Sequence, residues 1–171
     1  LGLKDDTFVQ FFGEGMTEDK LYGGMDFKKL EEEHQLVYHP ENSFLNRKFA
    51  VFEELFDAPA VVLTALKDTL TAKQMRNGNQ RFPMQTKSII CLTNKSPGEI
   101  SDMGASAHAL VERFPFQFEL KWDSYKPRDY LSMFKKLKYS DIGSYVNTVA
   151  QLVADATKSG NFISPRTAVH A

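Results

Sequence analysis

The chain has one cysteine, one tryptophan and almost no net charge, since 21 basic and 22 acidic side chains leave it at -1. A lone cysteine excludes a disulfide within the chain. Cys91 lies in the apolar run Ser88-Ile89-Ile90-Cys91-Leu92, where a small buried hydrophobe is the natural reading and a reactive thiol is not. Balanced charge excludes a chain-wide field that would draw nucleic acid or a membrane surface, so neither is expected as a partner. No apolar run reaches 18 residues and the start lacks a signal-peptide pattern, so the expected compartment is the cytoplasm. His34, His39, His108 and His170 show no metal-ligand spacing, and no G-x-S-x-G elbow occurs.

What is present is a globular composition: 171 residues, 42% apolar, with 14 phenylalanines, enough for one thick-cored domain and the start of a second. Runs at 7–12, 49–53, 88–92 and 116–120 read as strands, the second and third apolar throughout as if covered on both faces. Asp57-Ala58-Pro59 supplies a cap and a proline ahead of a helix over 60–75. Asn77-Gly78 predicts a hairpin within 73–84. Helices are expected over 127–137 and 141–158, and a third from Ser164-Pro165. The implied fold class is α/β with a parallel sheet, an α/β part over 1–121 giving way to an all-α part over 122–171. Glu31-Glu32-Glu33 reads as a solvated helix face, and the six basic and two acidic side chains of 121–139 form a modest basic stretch.

The chemistry-bearing feature is Phe49-Ala50-Val51-Phe52-Glu53-Glu54, a buried strand ending in two acids. In an open parallel sheet the carboxyl ends of the strands face the ligand crevice, so these acids are delivered to where a ligand binds. Nucleotide hydrolysis needs one acid near Mg²⁺ and one to orient or deprotonate water.

Phe52-Glu53-Glu54-Leu55-Phe56-Asp57-Ala58-Pro59 resembles the Walker B segment and following helix of MoxR-type AAA+ ATPases, with Glu53 where that family usually has Asp. The likeness continues in order. Ile89-Ile90-Cys91-Leu92-Thr93-Asn94 resembles the sensor 1 strand, Ala109-Leu110-Val111-Glu112-Arg113-Phe114 the arginine-finger stretch, and Ile163-Ser164-Pro165-Arg166 the sensor 2 start. Phe11 to Gly23 is similar to the family's second strand and its Thr-x-x-x-Leu-x-Gly region.

The resemblance implies a P-loop NTPase (AAA+) core with a small all-α lid. It also implies ATP and Mg²⁺ as ligands, a ring (a hexamer) and protein clients. By it Glu54 activates water, Asn94 senses the γ-phosphate, Arg113 is a finger acting on a neighbouring subunit, Arg166 contacts nucleotide, and Glu53 serves Mg²⁺ through water. The loop G-x-x-x-x-G-K-S/T occurs nowhere in the 171 residues. The expectation is therefore a fragment lacking the first strand and phosphate loop, inactive alone. Two alternatives are a nucleotide-independent interaction module on the same scaffold and a DNA-associated motor.

Overall fold

A computed structural model describes residues 3–136 and 145–165. The chain divides into two compact units, Leu1–Phe116 and Gln117–Ala171. In the first, strand β1 (Thr7–Phe11) is followed by the one-turn helix α1 (Glu18–Leu21) and by α2 (Phe27–Glu33). Two 3-10 turns then lead to β2 (Phe49–Glu53), and another, Leu55–Asp57, opens α3 (Ala60–Ala72). The hairpin β3 (Gln74–Asn77) and β4 (Gln80–Pro83) precedes β5 (Ser88–Leu92), α4 (Pro97–Asp102) and α5 (Ala105–Val111). The second unit contains α6 (Pro127–Lys136) and α7 (Val146–Lys158).

β1, β2 and β5 form a parallel sheet in that order, with Val9 beside Val51 beside Ile90 and Phe11 beside Glu53 beside Leu92. Side chains alternate across a sheet, so Phe8, Ala50, Phe52, Ile89 and Cys91 share one face. That face is the core: Phe52 is fully buried between the edges of Phe12 and Phe44, with ring centroids 5.1 and 5.3 Å away. The expectation of strands covered on both faces is corrected here. The opposite face is open, with Phe11 62% and Ile90 58% exposed. An apolar run shows that a strand can be covered on both sides, and only packed neighbours make it so.

α3 forms because Val62, Leu63, Leu66, Thr69 and Leu70 fall on one face and bury it, with Pro59 fixing the entry. It ends at Ala72, short of Met75, because Lys73 takes the left-handed conformation at φ 54° and turns the chain into β3. Met75 is a fully buried strand residue, not a helical one. Asp57 does not cap α3; it lies in the preceding 3-10 turn. The hairpin forms as expected, one residue displaced: Asn77 pairs with Gln80, and Gly78, at φ 52°, is the first residue of the two-residue loop. Gly23 is fixed by close approach, since a Cβ there would overlap the backbone carbonyl of His39.

Residues 116–120 do not form the expected strand. Phe116, Phe118 and Leu120 are exposed, with Phe118 at 87%. Alternation supplies a face to bury but no ladder partner, and a strand forms only against another strand. In the second unit Tyr130 and Phe134 of α6 pack on Ala150, Val153 and Ala154 of α7. The helix expected from Ser164-Pro165 lies, beyond Pro165, outside the described residues.

Because Phe52 touches two other rings and no solvent, Phe52→Ala should cost about 3–5 kcal/mol in urea unfolding. A loss below about 1 kcal/mol would mean that the sheet's core face is not held by this cluster.

Candidate functional site

The three strands end level. Phe11, Glu53 and Leu92 are register partners, and Phe12 N–H extends the ladder by donating to the Glu53 carbonyl at 2.8 Å. Everything that follows a strand therefore emerges at the same edge: Gly13 and Glu14 after β1, Glu54 after β2, and Asn94 and Lys95 after β5. This is the edge at which ligands bind in open α/β sheets.

Glu54 is the anomalous residue there. Leu55, Phe56 and Ala58 are buried immediately after it. The chain must leave β2 and drop into the core within one residue, and Glu54 does this at φ 55°, ψ 39°. A non-glycine residue in that left-handed region costs about 1–2 kcal/mol. Its Oε2 is also buried without a hydrogen-bond partner among the described residues. A strained backbone and an orphaned carboxylate oxygen at one residue are what functional sites retain and structural ones discard. Glu53 differs: it is exposed, in the row of Phe11 and Leu92 on the open face. Asn94 is exposed two residues past β5, so the structure brings Glu53, Glu54 and Asn94 to one edge.

An open cleft of about 640 Å³ lies at this edge, lined by Gly13, Glu14, Asp57, Lys95, Glu99 and Met103 among others. Glu53, Glu54 and Asn94 are not in its lining but stand within three residues of it in the chain. Lys95 Nζ meets Asp57 Oδ1 at 2.7 Å. That hydrogen bond, with the charges of Asp57, Glu99 and Glu54, holds the Lys95 ammonium above its usual range. Ser96 and Glu99 form a reciprocal capping box at the start of α4, with Pro97 in its first turn. The hydrogen bonds from Ser96 lower the Glu99 pKa. That stabilisation is present at neutral pH and is lost as pH falls through the glutamate range. Cys91, by contrast, has its thiol pushed up to about 12 by burial, which suits a core residue and not a nucleophile.

Arg113 is elsewhere. α3 and α5 run side by side and parallel, tied by Thr64 to Ser106 at 2.9 Å and by Arg113 Nε donating to Thr71 Oγ1 at 3.2 Å. Thr71 is in the last turn of α3, so Arg113 lies toward the amino ends of the strands, beside Lys73 and Lys87. Five strand residues separate the two ends by roughly 16 Å, so Arg113 does not join this chain's own acids. Arg166 lies outside the described residues.

Among the described residues no group of three or more His, Cys, Asp or Glu could enclose a metal. Glu53, being exposed, fits the sparse protein contribution of a Mg²⁺ met through its own waters. Sequence reasoning missed Asp57, Lys95 and Glu99 as neighbours. The Ser96-Pro97-Gly98-Glu99 capping signature was the available signal for the last.

No family model matches the chain, and no curated protein matches it in sequence. Its fold is similar to the 2.00 Å crystal structure of a candidate ATPase from Cytophaga hutchinsonii, at a TM-score of 0.52 and 17% identity, over 83% of this chain and 40% of that one. This likeness is one of fold alone. No helix among the described residues is long and apolar enough to cross a membrane.

Replacing Glu54 with glycine should remove both the left-handed strain and the buried orphan oxygen. Glu54→Gly is expected to raise stability by about 1 kcal/mol in urea unfolding, after the added flexibility of the unfolded chain is deducted. A loss of that size would make the carboxylate a structural anchor.

Proposed function

We propose that this chain is part of an ATP-hydrolysing AAA+ ATPase of the MoxR type, which as a complete protein assembles into a ring in the cytoplasm and remodels protein clients. The observation that carries the reading is Glu54, a strained residue with an orphaned carboxylate oxygen at the carboxyl edge of a parallel sheet. The fold likeness to the Cytophaga candidate ATPase supports it. The order of the Walker B, sensor 1 and arginine-finger segments gives the finer assignment to the MoxR type.

In this reading Glu54 holds and deprotonates the water that attacks the γ-phosphorus of ATP, turning its carboxylate out of the buried, unpartnered position it occupies here to do so. Asn94 donates its amide to the same water or to the γ-phosphate. Glu53 would hold Mg²⁺ through water, and the ion would supply charge neutralisation on the nucleotide's phosphates. Arg113, set at the far end of its own subunit, acts on nucleotide held by a neighbour. Arg166 contacts the phosphates of its own subunit.

The second reading is a nucleotide-independent interaction module. It is favoured by one fact: no G-x-x-x-x-G-K-S/T loop occurs in these residues. The two separate in a polypeptide that carries this chain together with a phosphate loop. There Glu54→Gln should keep nucleotide binding and lower ATP turnover by at least about 100-fold, while unchanged turnover would sink the assignment. Arg113→Ala should lose turnover only where copies associate. The 171-residue chain alone should show no saturable ATP binding in calorimetry. Micromolar binding by it would contradict the need for a phosphate loop.

A further inference from the structure

From Thr69 to Gly98 the chain has five basic residues and no acidic one. Two of the five, Arg76 on β3 and Arg81 on β4, are direct cross-strand partners in the antiparallel hairpin, and both are exposed. Opposed positions hold their Cβ atoms roughly 4.5–5.5 Å apart, where like charges destabilise a hairpin. Neither arginine has an ion-pair partner among the described residues. The polar contact of Arg76 is neutral: the Gln74 amide, turned with its oxygen toward the guanidinium, accepts from Nε and Nη2 at 3.0 and 2.6 Å.

The hairpin is also rigidly mounted. Its inner face is fixed by fully buried Met75 and by Phe82, which packs against the core. The Gln80 amide accepts from Tyr38 N–H at 2.8 Å and donates to Tyr38 carbonyl at 3.1 Å, so a side chain continues the hairpin's pairing into the next segment. Met84 N–H closes the base on the Lys73 carbonyl at 2.9 Å. Two arginines are therefore rooted opposite one another on a fixed platform at a cost in stability.

The geometry points to the Arg76–Arg81 face of this hairpin as a docking site for a protein segment that carries neighbouring carboxylates. Each guanidinium matches one carboxylate in a bidentate pair. Glutamates three or four residues apart on a helix stem from Cβ atoms roughly 5–6 Å apart, close to the Cβ separation of opposed strand positions. Charge favours an acidic peptide over nucleic acid. Tight binding to a duplex draws on roughly 6–10 neutralised phosphates, and this platform offers two arginines in a chain of net charge -1. The inference does not rest on ATP hydrolysis, because the hairpin lies outside the acids' edge.

The test is fluorescence anisotropy of the full 171-residue chain with labelled hexaglutamate, with labelled hexathymidylate in parallel. The expected result is saturable hexaglutamate binding that weakens with salt and falls about tenfold or more in either Arg76→Gln or Arg81→Gln. Each variant should stay folded with a raised melting temperature, since the like-charge contact is gone. The proposal is overturned by hexaglutamate binding that is absent or survives both substitutions. It is also overturned by preferential binding of hexathymidylate through the same arginines, or by a lowered melting temperature in the variants.

Discussion

The in-register parallel pairing of β1, β2 and β5 is the constraint on which the rest depends. Because Phe11, Glu53 and Leu92 are level, three chain segments turn away from the sheet at one height. The core cluster then dictates how each turns. β2 must deliver Leu55 and Phe56 into the interior at once, and the only residue left to absorb the change of direction is Glu54. A glutamate is thereby placed in a conformation it would not choose, with one buried oxygen that meets no donor among the described residues. The expense of this arrangement, of order a few kcal/mol, is a substantial fraction of the 5–15 kcal/mol that holds a typical domain together.

The same topology sets the polarity of the molecule. α3 leaves the carboxyl edge and α5 runs parallel to it, so both helices carry their ends to the opposite edge of the sheet. Acids and amide therefore gather at one end, and Arg113 at the other. A single copy cannot bring the two together. The proposed action of Arg113 on another subunit's nucleotide agrees with this separation. The hairpin between α3 and β5 is a further consequence: Lys73 turns the chain left-handed at the end of α3 and starts a two-stranded element on the way back.

Much of this was legible in the sequence, and for identifiable reasons. Strands 49–53 and 88–92 could be read because Ala50-Val51-Phe52 and Ile89-Ile90-Cys91-Leu92 are unbroken apolar runs of strand length. The hairpin could be read because Asn77-Gly78 is a strong local signal. Other features depend on neighbours that a linear pattern does not contain. The open face of Phe11 and Ile90 reads as buried from composition, yet among the described residues both side chains are more than half exposed. The alternation Phe116, Phe118, Leu120 reads as a strand, yet no ladder receives it. At the candidate site the acids and Asn94 were legible from their positions at strand ends. The strain at Glu54, the Lys95–Asp57 pair and the opposition of Arg76 to Arg81 were not, because backbone dihedrals, ion pairing and register exist only once the chain is folded.

The role proposed for Glu54 is to activate the attacking water. Its most direct test is a crystal structure of the complete protein with Mg²⁺, ADP and aluminium fluoride, which places the water in its transition-state position. The expected result is a Glu54 carboxylate oxygen within about 2.6–3.2 Å of that water, with Asn94 touching the same water or the fluoride. A Glu54 carboxylate still buried away from the fluoride, with another residue holding the water, would contradict it.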